Sequence, residues 1–200
     1  MAQYALPISD DFSQGASEGA GNANGVAWDE LDEGFGAGRG SGSGPDDATT
    51  YWILDPDVAP NAQILANLSG VTDPNSSDSH IVRTRNRKSA AAGQQHDVLL
   101  RLRQGGTDIV NSANMPNISE VWQTRTITLT AAQADSITDY SNLKIASIFN
   151  QVGGGADRNG NESAYEFECP DAPAAGGEGT DFPWPQTNQP VQTSIAVISY

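Results

Sequence analysis

Cysteine is almost missing from this sequence, and Cys169 is the single one. No intramolecular disulfide is therefore possible, and no cysteine-based zinc site can be completed within one chain. Set in a strand-like run, Cys169 reads as a small buried hydrophobe rather than a nucleophile. Positive charge is scarce as well: 10 Lys and Arg stand against 25 Asp and Glu, for a net charge of -15 and a pI near 4.2. Phosphate backbones and anionic membranes repel such a surface, so neither nucleic acid nor a membrane is expected as a partner. Long apolar runs are absent, and none approaches the roughly 18 residues of a membrane helix. The opening MAQYALPISDD has neither the basic start nor the apolar stretch of a secretory signal. The expectation is a soluble protein made in the cytoplasm and not secreted, in which the sequons at Asn67, Asn75, Asn117 and Asn161 carry no meaning.

Chemistry-bearing motifs are equally scarce. His80 and His96 are the only histidines, at strand beginnings and without metal-binding spacing, so they read as ordinary edge or surface residues. No GxSxG elbow or GxGxxG after a strand is present, and GAGRGSGSG lacks the GK[ST] ending of a phosphate loop. In DRNGNE, Asp157, Asn159, Asn161 and Glu162 offer oxygen ligands, but the glycine falls at the wrong place for a calcium loop, and a hairpin turn is the simpler reading. Glu166 and Glu168 share one face of a strand at about 6–7 Å, a carboxylate pair in distance alone. Asp29, Glu30, Asp32 and Glu33 read as a solvated acidic run, or as a contact for a basic partner. No catalytic residue, cofactor or metal is expected.

Glycine and proline, by contrast, are plentiful, at 21 and 11, while hydrophobic residues make up 37% and the mean hydropathy is -0.45. A chain of 200 residues with that balance builds one core only if part of it stays outside. Residues 1–47 read as an N-terminal arm. It begins with alternating Tyr4, Leu6 and Ile8, able to press one side against a surface, and continues into a stretch holding ten glycines between residues 13 and 47. VAWDELDE within it is a short strand or a contact site.

Residues 48–172 read as the core. TTYWILD and AQILANLS suit strands. SHIVRTRNRK puts Arg83, Arg85 and Arg87 on one face. In HDVLLRLRQ, Val98, Leu100 and Leu102 point inward and Arg101 and Arg103 outward. QGGT is a hairpin turn. VWQTRTITLT alternates, Thr130 and Gln133 cap a short helix over AAQADSI, and NLKIASIFN and SAYEFEC are strands. In the last, Tyr165, Phe167 and Cys169 face inward. If the two arginine strands are neighbours, Arg83, Arg85, Arg87, Arg101 and Arg103 form one basic strand face, an electrostatic seam for an acidic partner such as the acidic arm of another copy. Residues 173–200 read as a Pro/Gly-rich linker and a C-terminal strand arm with Val191, Thr193, Ile195 and Val197 on one side. Trp184, between Pro183 and Pro185, is its contact residue, whereas Trp52 and Trp122 read as buried in strands.

MAQYALPISD, LSGVTDPNSSDSHIVRTRNRKSAAAG, LRLRQGG, LTAAQADSITDYSNLKIASIFN and YEFECPDA resemble, in that order, a family of small virion structural proteins of tailed phages. The pattern there runs MAQYxRPxSD, VTDPxxSxxHxVRYRxRKS, VxLxQGxTxI, LTAAQADAITDYxDLRxRF and WAEFEVPDA. The resemblance covers residues 1–11 and about 68–172, and is most specific in the AAQAD-ITDY run. It departs at the glycine-rich insertion, after Ala172, at Leu6 where the family has Arg, and at Tyr165 where it has Trp. It implies a particle-associated protein, located in the virion, rather than an enzyme.

The expected fold is all-β: an antiparallel β-sandwich of jelly-roll type with one short helix and extended N- and C-terminal arms. The expected function is a capsid decoration (cement) protein stabilising the shell. The alternative is a tail, neck or fibre component binding host surface glycans on Trp28, Trp52, Trp122 or Trp184. Expected partners are other copies, as a trimer or other homo-oligomer, and phage capsid or tail proteins. The assembly contacts are Tyr4, Leu6, Ile8, Trp184, Val191, Thr193, Ile195 and Val197.

Overall fold

The computed structural model describes residues 1–20, 24–36, 39, 44, 45, 47, 49–57 and 61–173, with backbone alone at Ala20 and at 112–114. Among them lie the strands β1 (Ala2–Ala5), β2 (Pro7–Gln14), β3 (Ala16–Ala20), β4 (Tyr51–Leu54), β5 (Ala62–Leu68), β6 (Ile81–Lys88), β7 (Gln95–Gln104), β8 (Thr107–Met115), β9 (Gln123–Thr128), β10 (Leu143–Val152) and β11 (Gly160–Pro170). Two helices join them, α1 (Trp28–Leu31) and α2 (Ala131–Asp135). One sheet runs β3-β4-β11-β6-β9, with β1 also on β11, and the other runs β2-β5-β10-β7-β8. Along β4 to β11 alone the orders are β4-β11-β6-β9 and β5-β10-β7-β8, the interleaving of a jelly roll. The expected antiparallel β-sandwich is the observed fold.

Alternation builds the core between the sheets. Val82 on β6, Val98, Leu100 and Leu102 on β7, Ile145 and Phe149 on β10, and Tyr165, Phe167 and Cys169 on β11 are all fully buried. β7 and β10 stay in register over ten pairs, from Gln104↔Leu143 to Gln95↔Val152. The Gly105-Gly106 turn, with Gly105 at φ 55°, joins β7 to β8 as expected. Thr130 caps α2 in a reciprocal capping box with Gln133.

A polar seam runs through this interior. Thr84, Asn86, Ser147 and Glu162 are buried, and Thr84 donates to the Glu162 carboxyl. The Ser147 amide donates to the Tyr165 hydroxyl at 3.1 Å. Burial pushes the Glu162 carboxyl well above the usual carboxylate range.

The N-terminal arm is the main correction. The described strands of 1–47 are not outside the domain. β1 pairs with β11, β2 with β5 and β3 with β4, so the arm supplies edges to both sheets. Strand edges left bare would expose rows of unpaired amides and carbonyls, and the arm satisfies them. Gly15, at φ 59°, is the turn that carries the chain from β2 in one sheet to β3 in the other. Gly19 lets that chain lie against the Tyr51 ring, since a Cβ there would meet the ring at 2.2 Å. VAWDELDE, expected as a strand or contact, forms α1 instead, so there are two short helices among the described residues where one was expected. α1 packs against β2, β4 and β11, with Ala27, Glu30 and Leu31 buried. Of the expected C-terminal arm, 173–200, all but Pro173 lies outside the described residues.

Candidate functional site

The outer face of the first sheet concentrates the side chains singled out above. Alternation turns Arg83, Arg85 and Arg87 of β6 outward, beside Glu166 and Glu168 of β11. Arg83 Nη1 lies 2.6 Å from Glu166 Oε1 and 2.5 Å from Glu168 Oε2. Arg39, from the glycine-rich stretch, reaches the same Glu166 oxygen at 3.2 Å, and the Phe35 amide donates to its other oxygen at 3.0 Å. Arg39 also lies over the Tyr4 ring at 3.6 Å and donates to the Tyr4 hydroxyl at 2.7 Å. Phe35 and Arg39 thus strap the outer face of β11, and Glu166 beneath them is fully buried. Arg85 is held by both oxygens of Asp47 at 2.6 and 2.5 Å. Of Arg83 and Arg85, only Arg85 meets an acid from the chain's own N-terminal stretch, Asp47, while Arg83 is neutralised by Glu166 and Glu168 of β11.

Arg101 and Arg103 do not belong to that face. β7 lies in the second sheet and β6 in the first, so the five arginines occupy opposite outer faces of the sandwich. A single basic strand face is therefore ruled out. Arg101 donates to Asn111 at 2.9 Å, and Arg103 pairs with Asp108 at 2.8 Å.

Arg87 differs from its neighbours in its company. Its guanidinium sits 4.6 Å from the centre of the Trp122 ring, and Trp122 meets Tyr51 edge-on at 5.9 Å. All three are only partly buried, and the adjoining Val121 is 62% exposed. Trp122 therefore does not sit in the core, as its strand setting suggested. This cluster presents aromatic surface to solvent and is the candidate contact site. Cation and ring edges fix the indole, while its polar rim suits hydroxyl-bearing or peptide ligands.

A second feature is a polar cleft of about 450 Å³ between the 73–77 loop and α2, lined by Asp73, Asn75, Asp135, Ile137 and Tyr140. Tyr140 is fixed from behind by His80 Nε2 at 2.7 Å, and burial raises its hydroxyl to about 12. The same burial lowers His80 and His96 below the usual histidine value, so both expected edge histidines are core residues.

The remaining expected contacts fall apart or out of view. Tyr4 is covered by Arg39 on the first sheet. Leu6 is bound through its amide to Ser69 Oγ at 3.1 Å where the chain crosses over, and Ile8 is 51% exposed on β2 of the second sheet. They share no surface, because the chain changes sheets between them. Trp184, Val191, Thr193, Ile195 and Val197 lie outside the described residues. Trp52 is buried, its Nε1 donating to Glu30 at 3.0 Å, and Trp28 is partly buried on α1. In DRNGNE, Asp157 turns to Gln94 while Glu162 points into the core, so its oxygens do not converge. Among the described residues no cluster of three or more His, Cys, Asp or Glu is arranged to hold a metal ion. Sequence reasoning missed Arg39 and Asp47. Their only signals were a lone Arg among glycines and an acid just before the first core strand.

No protein-family model matches this chain, and no curated protein matches it. Among solved structures it is similar to the CBM36-1 domain of a multidomain xylanase from the hindgut metagenome of Trinervitermes trinervoides, at 12% identity and TM-score 0.44 over 86% of this chain and 100% of that one. It is similar to SGBP-B from a xyloglucan utilization locus in Bacteroides uniformis, at 8% identity and TM-score 0.44 over 81% of this chain and 49% of that one. A third is the family 30 carbohydrate-binding module of a cellulosomal cellulase of Clostridium thermocellum, at 12% identity and TM-score 0.37 over 83% and 97%. Likeness this distant leaves what those modules bind with those modules.

Proposed function

We propose that this chain is a non-enzymatic structural component of a tailed-phage virion, a capsid decoration protein that stabilises the shell through its β-sandwich. One observation carries the reading: the segments that resemble the phage family are the ones that frame the jelly roll. MAQYALPISD forms β1 and opens β2, SHIVRTRNRK forms β6, LRLRQGG ends β7 and makes its turn, LTAAQADSITDYSNLKIASIFN forms α2 and β10, and YEFECPDA ends β11. The groups that would serve catalysis are committed elsewhere. Glu162, Glu166, His80 and His96 are buried, and the Glu166–Glu168 pair shares Arg83 under the strap. Quantitative mass spectrometry of purified particles tests the role. Shell decoration requires a copy number comparable to that of the major shell subunit, and a handful of copies would refute it.

A second reading, a tail, neck or fibre component that binds host surface glycans, is favoured by the partly exposed Tyr51 and Trp122 rings. Sugar rings stack on such surfaces through their C–H faces. Retention of the protein on host surface polysaccharide that is lost in Trp122→Ala, with the fold intact, supports this reading. Equal retention of the variant refutes the site.

A further inference from the structure

Among the described residues the sheets end on β3 and β9 in the first and on β2 and β8 in the second, and the four-residue β1 beside β11 adds a fifth edge blunted by its shortness. Three of them are irregular. β2 begins with Pro7 and slips register between Pro7 and Ser9 and again between Asp10 and Phe12. β3 slips between Glu18 and Ala20, and the β7–β8 ladder slips twice. Bulges and prolines of this kind are how natural sheets blunt an edge against pairing. β9 has neither. Its ladder with β6 runs unbroken from Asn86↔Gln123 to Ile81↔Thr128, and Gln123, Thr124, Thr126 and Thr128 are exposed along it. Val121 and Trp122 flank its start with apolar surface.

We propose that β9 is an acceptor edge, and that its occupant is residues 191–200 of a second copy of this chain. VQTSIAVISY alternates as an added strand requires, and its Thr, Ile and Val suit a Thr-rich neighbour. The length of the connection is what lets this segment reach another copy. β11 leaves the sheet beside β6 and, through the pairs Glu168↔Ile81 and Ile81↔Thr128, only two strands from the end of β9. An added strand beyond β9 lies three spacings from β11, roughly 14 Å, whereas a stretch of the length of 173–190 could span at most about 60 Å. A connection several-fold longer than self-pairing needs is suited to reaching a neighbour.

The test uses the full chain and two variants, followed by sedimentation velocity over a wide concentration range. Thr126→Lys with Thr128→Lys charges the edge at two exposed side chains. Ile195→Pro removes an amide from the donated strand. Each variant alone should associate at least 10-fold more weakly than the parent, with unchanged circular dichroism. An equimolar mixture should recover association, because one variant keeps a sound strand and the other a sound edge. Deletion of 191–200 should match Ile195→Pro. A parent that stays monomeric at all concentrations overturns the proposal, as does association that survives either variant. So does a lower melting temperature of the monomer in Ile195→Pro, the mark of a strand paired within its own chain.

Discussion

Arg39 and Glu166 meet at 3.2 Å although 127 residues separate them in sequence. One comes from a run of glycines, the other from the central strand of a sheet. Their contact pins a segment of low apolar content over the outer face of that sheet, and it takes Glu166 out of solvent.

Cutting that contact should loosen the strap. Arg39→Ala leaves Glu166 with Arg83 as its remaining cation, so the loss is smaller than that of a wholly unpaired buried charge. A destabilisation of about 1–3 kcal/mol is expected in urea unfolding, with faster proteolysis between residues 34 and 47. A variant as stable and as protease-resistant as the parent would mean that the strap is held by something else.

Core and outer face should respond unequally along β7. Leu100 is fully buried, and Leu100→Ala should cost about 2–5 kcal/mol. Arg101 is partly exposed and bonds Asn111, and Arg101→Ala should cost less than about 1 kcal/mol. Chemical denaturation of the two variants side by side separates them, and equal losses would contradict the assignment of faces.

Glu162 should leave a signature in the pH dependence of stability. Its carboxyl is raised above the ordinary 4.5 by burial, so the folded state holds its proton more tightly than the unfolded state does. The stability it contributes is full below about 4.5 and is lost as pH rises through the folded value. Glu162→Gln keeps the neutral shape and removes the titration. Relative to the parent, the variant should therefore gain stability with rising pH above about 4.5. His80 and His96 act in the opposite sense, because burial lowers both. Their contribution is full above the ordinary 6.5 and is lost as pH falls below it. A parent-minus-variant difference that does not change with pH would contradict the raised carboxyl of Glu162.

Much of this was legible in the residues. Period-2 alternation in HDVLLRLRQ and SAYEFEC set the inward faces, and the Thr130–Gln133 spacing marked α2. What misled was reading glycine as absence of structure. At Gly15 and Gly19 it serves turning and close approach, and in the strap the order comes from Arg39 and Phe35 acting on a distant carboxylate. No local pattern encodes such a pairing. The split of the basic face has the same cause: the alternation of Arg83 and Arg101 fixes which side of a strand each occupies, while strand order decides which sheet. Trp122 was assigned to the core by its neighbours, yet it precedes β9 and lies on the outer face of the first sheet against Arg87 and Tyr51.

The central claim is that this jelly roll is a building piece of a phage particle. A cryo-electron reconstruction of the particle produced from the genome that encodes the chain tests it most directly. The sandwich should stand on the outer surface of the shell, repeated with the shell's symmetry, with Trp122 and Val121 at a contact. A well-resolved particle with no density for this sandwich on head, neck or tail would contradict it.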